Sequence, residues 1–433
     1  MRLSILLIAA FSLTTAVRAE DWTEFRGPTG QGHYAGKKLP IEWSTTKNVA
    51  WNMKIPGHGW SSPIVLDGRV YLTTAVPSAS AVPPIDKGEK EKGKAKGKPK
   101  VDVSLKAVCL DAAKGTILWQ TEVFKQDGAK APNIHGKNSH ASPTPITDGK
   151  RLYVHFGHQG TACLELDGKI VWRNNDHRYA PVHGNGGTPI LVGNRLVFSA
   201  DGGDKQFIVA LDTATGKSAW KTDRKGKSSQ PFSFSTPLVI TVNGKQQIVS
   251  PASGMVVGYD AETGAEIWRS GYGSGYSVIP RPVYGHGMIF IGSGYNTPKV
   301  YAIRADGKGD VTDTHVAWST PKGAPHTPSL LLVGDELYMV SDGGVASCVD
   351  AKTGKFHWQE RVGGNGYSAS PFHADGKVYF QSEDGVTTVV RASTKFETLA
   401  TSKLGERTFA SYAVADGAIY LRTETQLYRL QAK

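Results

Sequence analysis

From about residue 43 onward the chain alternates short apolar runs with tight polar turns, and no stretch keeps the period of a long amphipathic helix. Eight times an apolar run, a Gly-containing turn and a second apolar run follow one another. The units open at Ser62-Pro63, Ser142-Pro143, Thr188-Pro189, Thr236-Pro237, Arg281-Pro282, Thr327-Pro328, Ser370-Pro371 and, without Pro, Ser411-Tyr412. Their turns are Asp67-Gly68, Asp148-Gly149, Gly193-Asn194, Asn243-Gly244, His286-Gly287, Gly334-Asp335, Asp375-Gly376 and Asp416-Gly417. Such pairs supply the positive φ angles that a two-residue hairpin demands. Behind each hairpin comes a third apolar run, a turn with Asp and Gly, and in most units a fourth run carrying Trp. The fullest copies are Ala210–Lys217 with Trp220, Tyr259–Gly264 with Trp268 and Val349–Lys355 with Trp358.

Four strands in each unit of 40 to 50 residues is the size of a propeller blade. The chain is therefore predicted to be all-β: an eight-bladed β-propeller of four-stranded blades over residues 20–433. The last unit stops after its third run, Gln426–Leu430, and has no Trp-bearing fourth. The segment Asn48-Val49-Ala50-Trp51-Asn52-Met53 is a strand without a hairpin of its own, so it should complete the last blade and pair its open edge. A seven-bladed ring is the alternative if the unit after Pro371, which lacks the Trp, pairs irregularly. Residues 77–104, rich in Lys, Gly and Pro, should be a disordered insertion between the second and third strands of blade one.

Composition adds little that competes with this. Gly (50) and Pro (23) suit short strands and turns. The formal charge of +12 is half accounted for by Arg2, Arg18 and the Lys-rich residues 86–100, leaving a body whose charge does not point to nucleic acid. Arg2, the apolar Leu3–Ala10 and the small residues around Val17-Arg18-Ala19 read as a signal peptide over residues 1–19, cleaved before Glu20. No run approaches the 20 or so apolar residues of a membrane span. A periplasmic or secreted monomer is expected. The three cysteines, Cys109, Cys163 and Cys348, form no CxxC and are read as packing residues; Cys109 and Cys348 share the slot that Ala210 fills elsewhere.

The Ala-Leu-Asp-x-x-Thr-Gly-Lys-x-x-Trp phrase of residues 210–220 resembles the repeat of the pyrroloquinoline-quinone (PQQ) dehydrogenases and their non-catalytic relatives, among them the outer-membrane protein assembly propeller. Phe25-Arg26-Gly27-Pro28 and Gly57–Pro63 are similar to an exported branch of the same superfamily. The resemblance implies that Trp51, Trp119, Trp172, Trp220, Trp268, Trp318 and Trp358 dock neighbouring blades, as flat rings can. The assembly propeller is generally lipid-anchored, and no Cys lies near residue 20 to serve as acceptor.

A calcium-assisted quinone dehydrogenase needs oxygen ligands for the ion and a carboxylate base, and the catalytic members carry two adjacent cysteines. The segments leading into the inner strands hold almost no acid and no Cys pair; Glu406 is the nearest carboxylate before the last blade. Neither a facing carboxylate pair for glycoside hydrolysis nor a zinc set stands out, and His155/His158 and His135/His140 read as ordinary strand and turn residues. No catalytic and no metal-ligating residue is assigned. What remains is a ring of polar and aromatic residues at one channel mouth: Trp60, His140, His183, Asn185, Phe234, Arg281, His326, Tyr367 and Arg407. The expected function is binding or scaffolding at that mouth, for a protein partner or a small anionic or planar ligand. The alternative is a PQQ- and calcium-dependent alcohol or sugar dehydrogenase.

Overall fold

The computed structural model describes residues 21–78, 101–224, 226 and 228–432. Its strands form eight blades around one axis, an all-β propeller. Blade one runs Ile64–Leu66, Arg69–Pro77, Val103–Asp111 and Ile117–Gln126, each strand antiparallel to the last. The inner strands of blades two to eight are Ile146–Thr147, Ile190–Val192, Leu238–Val242, Val283–Gly285, Leu331–Val333, Phe372–Ala374 and Ala413–Ala415. Blade eight is completed by Val49–Lys54, with Trp51 opposite Arg429 and Met53 opposite Leu427, so the orphan strand closes the ring. Blade seven pairs regularly although Ala400 stands opposite Val389 where other blades carry Trp. The leader expected over residues 1–19 lies outside the described residues, as do residues 79–100 of the basic insertion. The strands flanking that insertion pair as far as Pro77 with Val103.

Most hairpin turns take the geometry their residues permit. In Asp67-Gly68, Asn243-Gly244, His286-Gly287, Asp375-Gly376 and Asp416-Gly417 both residues have positive φ, whereas Gly193-Asn194 and Gly334-Asp335 place only the Gly there. Blade two differs, because residues 148–150 make a three-residue loop between Ile146–Thr147 and Arg151–His155.

The repeated Trp and Gly belong to different blades. Trp172 of blade two donates its indole N–H to the Thr213 carbonyl of blade three at 2.9 Å, and its ring covers Gly216 of the same turn. Trp51 reaches Ala112, Trp119 reaches Leu166, Trp318 reaches Ala351 and Trp358 reaches Ser393 in the same way, each in the following blade. Trp220 covers Gly264 of blade four, but its N–H finds no acceptor among the described residues. Trp268 turns back on its own blade and donates to Gln247 Oε1, because Gly309–Asp310 of blade five pair alongside it. Opposite six of these Trp on the adjacent strand stands a small residue, Cys109, Cys163, Ala210, Gly258, Ala302 or Cys348, whereas Trp51 faces Arg429. Burial pushes all three thiols up to about 12, which suits packing and not reactivity.

At the axis a second set of links joins the blades. The backbone N–H of Ser62 donates to Thr144 Oγ1 (3.1 Å), Thr144 to Thr188 (3.0 Å), and Thr188 to Thr236 (3.1 Å). The series resumes from Arg281 to Ser329 (2.9 Å), Ser329 to Ser370 (3.1 Å), Ser370 to Ser411 (2.9 Å) and Ser411 back to Ser62 (3.0 Å). Only Arg281 lacks a hydroxyl, and there Ser235 Oγ donates to the Pro280 carbonyl instead, at 2.8 Å. This ring corrects the sequence phase of two units: the residues equivalent to Ser62-Pro63 are Thr144-Pro145 and Ser329-Leu330, two positions after the expected starts. In both places the small-residue pattern occurs twice in succession, and only the pairing decides between them.

Residues 21–34 then cross one end of the channel. Trp22 pairs with Val65, the Thr23 carbonyl accepts from Thr147, Gln31 Oε1 accepts from Tyr284, and His33–Tyr34 run parallel to Phe372–Ala374. The blades are thereby tied together across the diameter as well as around the ring.

Two outcomes follow from these links. Gly216→Ala places a Cβ 2.5 Å from Trp172 Cε3, whereas Gly244→Ala, also at positive φ, meets nothing within 4 Å. Urea unfolding should show the first to cost about 2 kcal/mol more than the second. Ser411→Ala removes the acceptor of the Ser370 N–H and should cost about 1–3 kcal/mol in the same assay, with Ser411→Thr recovering most of it.

Candidate functional site

The chain approaching each inner strand is extended, so alternate side chains face the axis. The ring hydroxyls form one layer. Two residues earlier, a second layer faces the same way: Trp60, Phe234, Ile279 and Phe409 with the smaller Ser142, Gly186, Thr327 and Ser368. Together they enclose an axial cavity of about 290 Å³. Phe25, from the crossing segment, forms its floor, and His135, Lys137, His183, Phe232, Tyr276 and Tyr295 stand around its mouth.

Parity holds only close to the ring: His183, five positions before Thr188, lines the cavity, whereas His140 and Arg407, four before theirs, do not. Trp60, His183 and Phe234 line the cavity. Asn185, His326 and Tyr367 precede their ring positions by three, an odd offset this close to the ring, and face away from the axis. Asn185 is buried between blades two and three, accepting from Tyr179 Oη at 3.0 Å. Tyr367 is fully buried, its hydroxyl bonded to the Gly363 carbonyl. His326 lies against Tyr295, tilted by 32° at 4.6 Å between centroids, with Nδ1 3.4 Å from Asp342. His140 is half-buried and does not line the cavity; burial, then His158, lowers its pKa. Arg407 lies over the Phe409 ring at 5.2 Å.

Arg281 occupies a ring position but leaves the axis. Its guanidinium donates to the carbonyls of Pro237 (3.0 Å) and Phe25 (2.6 Å) and to Glu24 Oε2 (3.1 Å), and Gly30 packs against it where no Cβ would fit. Beside it, buried Arg26 donates to the Leu330 carbonyl at 2.6 Å, while its Nε and Nη1 have no partner among the described residues. Burial, with Arg281 adding to it, lowers the Arg26 pKa to about 9.

The collar is aromatic. Trp60 meets Phe409 edge-on at 4.7 Å and His58 at 4.9 Å, and His183 meets Phe232 at 5.4 Å. The indole N–H of Trp60, a residue only 6% exposed, has no acceptor among the described residues. Among the described residues Lys137 carries the one formal charge on the lining. It bridges Glu383 Oε1 at 2.7 Å, and that carboxylate also accepts from Ser368 Oγ at 2.6 Å. Desolvation works against the Lys137 ammonium, but the bond and charge of Glu383 outweigh it and hold its pKa above the ordinary value. Lys137 precedes blade two and Glu383 belongs to blade seven, so the pair spans the mouth past blades one and eight. Among the described residues no Asp or Glu lines the cavity, and no group of three His, Cys, Asp or Glu is placed to hold a metal. The sequence marks most of the hydroxyl layer as the openings of the units but does not single out Lys137, Phe232, Tyr276, Tyr295 and Phe409; counting back in twos from the Ser/Thr positions finds Phe409 and the rest of the second layer.

Known proteins share this architecture. The quinohemoprotein alcohol dehydrogenase of Comamonas testosteroni superposes with a TM-score of 0.66 at 11% identity, covering 97% of this chain and 82% of its own; at that identity the likeness is one of fold. The tetrathionate hydrolase of Acidithiobacillus ferrooxidans is 22% identical over 77% of this chain and 65% of its own length. The outer membrane protein assembly factor BamB of Yersinia pestis is 24% identical over 45% of this chain and 51% of its own. The chain thus covers less than two thirds of the length of either curated relative. The family described as outer membrane protein assembly factor BamB matches residues 105–346 and 310–433, most of the propeller, and the chain belongs to that family.

Proposed function

We propose that the protein is an exported binding propeller without a catalytic centre, which holds a ligand in the axial cavity and presents the surrounding mouth to it. The observation that carries this reading is the cavity itself: closed at its floor by Phe25, walled by aromatic rings, and lined by hydroxyls and one lysine with no carboxylate among the described residues. Enclosed, mostly apolar concavities with a few convergent polar groups are where small ligands bind. Export is supported by the Arg2, Leu3–Ala10 and Val17–Ala19 pattern. Membership of a family named for outer membrane protein assembly supports a scaffolding role alongside ligand binding.

The quinone-dehydrogenase reading draws on the aromatic walls and on the alcohol dehydrogenases of the same fold. The flat walls suit a planar ring, but the lining does not suit the rest of the group. Calcium takes six to eight oxygen ligands, commonly including carboxylates, and alcohol oxidation needs a base. The nearby Glu383 is tied to Lys137 and Ser368, and Glu24 is tied to Arg281 beneath the floor. The residues at the cavity therefore do not fit PQQ with its calcium ion.

Two experiments bear on the proposal. Ile279→Trp should fill the cavity from a partly buried lining position. Ligands found by native mass spectrometry of the wild type should then be lost, with the unfolding midpoint within a few degrees; undiminished binding would place the site elsewhere. Titrating the wild type with PQQ and calcium should give no calcium-dependent tryptophan quenching and no dye reduction with alcohols or sugars. Saturable quenching with turnover would replace this reading by the dehydrogenase.

A further inference from the structure

We infer that the axial cavity takes a small organic oxyanion, with Lys137 as its cation and the floor hydroxyls as further donors, and that Glu383 competes with this ligand for Lys137. The inference rests on the reading of the cavity as a binding site. It comes from the balance of donors and acceptors on the lining. Each of Ser62, Thr144, Thr188, Thr236, Ser329, Ser370 and Ser411 uses its oxygen to accept a backbone N–H from the preceding blade. Among the described residues none of these hydroxyls donates to a protein acceptor, so their protons remain available at the cavity floor. The Trp60 indole N–H adds another donor without a partner. The second-layer hydroxyls of Ser142, Thr327 and Ser368 spend their protons on Asn138, Asp342 and Glu383, so the free donors are concentrated at the floor and at Lys137. That cluster matches a ligand group that only accepts, such as a carboxylate, sulfonate or phosphate.

Behind the wall two carboxylates, Asp342 on Thr327 and Glu383 on Ser368, are set against three buried arginines. Arg26, Arg281 and Arg422 are each 2% exposed. Arg422 donates to the Ser61 carbonyl and hydroxyl and to the Thr73 carbonyl, directly behind Trp60 and Ser62, with no carboxylate among its partners. Of the three, only Arg281 is paired with an acid among the described residues, Glu24. Burial lowers Arg422, like Arg26, to about 9, the mark of a cation held away from water with little compensation. Fixed positive charge around a low-dielectric concavity draws anions in. The aromatic collar, with Phe234, Phe409 and Trp60, selects an organic anion over a bare inorganic one.

The Lys137–Glu383 pair makes the inference specific. It is a bridge across the mouth, with Lys137 39% and Glu383 16% exposed. An incoming oxyanion exchanges one anionic partner of Lys137 for another while Glu383 keeps its bond from Ser368 Oγ, and Glu383 otherwise repels it.

The test uses three probes of matched shape: benzenesulfonate, benzyl alcohol and benzylammonium, titrated by calorimetry into the protein comprising residues 20–433. Benzenesulfonate should bind most tightly, and less so as salt rises. Lys137→Gln should weaken it about tenfold, Lys137→Arg should largely retain it, and Glu383→Gln should tighten it several-fold. Equal or tighter binding of benzyl alcohol or benzylammonium, abolished by Ile279→Trp, would overturn the anion preference and leave the cavity as a binding site. Indifference of benzenesulfonate to both Lys137→Gln and Glu383→Gln would also overturn it. Failure of all three probes to bind would overturn the inference together with the reading of the cavity on which it rests.

Discussion

The rest of the structure hangs on a hydroxyl at the axis accepting a backbone N–H from the preceding blade. Inner strands of a propeller converge where there is little room and no water to spare, and an unpaired backbone donor there would cost about 1–3 kcal/mol. A Ser or Thr at the head of the inner strand meets that demand with a short side chain, blade after blade from Ser62 to Ser411. The neighbour's N–H takes one lone pair of the oxygen and leaves the proton over. The same bond that joins the blades thus sets the chemistry of the space they enclose.

The one departure from the pattern is equally consequential. At position 281 an arginine replaces the hydroxyl, and its guanidinium anchors Glu24 and the Phe25 carbonyl of the crossing segment. That anchor converts an open channel into a cup with Phe25 as its base. Around the periphery the Trp of one blade and the Gly of the next do a similar job at larger radius, as Trp172 and Gly216 show. Two concentric sets of blade contacts, polar inside and aromatic outside, leave the cup rigid enough for its lining to be defined.

Blade number, hairpin turns and the closing strand could be read from the chain because each has a local signal: Asp-Gly or Asn-Gly pairs, the spaced Trp, and a terminal unit one strand short. The site was legible only in part. Trp60, His183 and Phe234 line the cavity, but Asn185, His326 and Tyr367, each three residues before its ring position, face away from the axis, which their side-chain chemistry does not report. Phase in blades two and six was ambiguous because Ser142-Pro143-Thr144-Pro145 and Thr327-Pro328-Ser329 each offer two starts. The Lys137–Glu383 bridge joins residues 246 apart, a relation no local pattern reports.

At the centre of the molecule stands a donor-lined cup whose one cation is shared between a ligand and Glu383. The most direct measurement is a crystal structure of the protein grown with benzenesulfonate. The sulfonate should lie inside the aromatic collar, accepting from Lys137 and the floor hydroxyls, with the Lys137–Glu383 bridge opened. A sulfonate bound outside the collar, or a cavity holding the ring with its charged group turned away from Lys137 and the hydroxyls, would contradict the donor-lined cup.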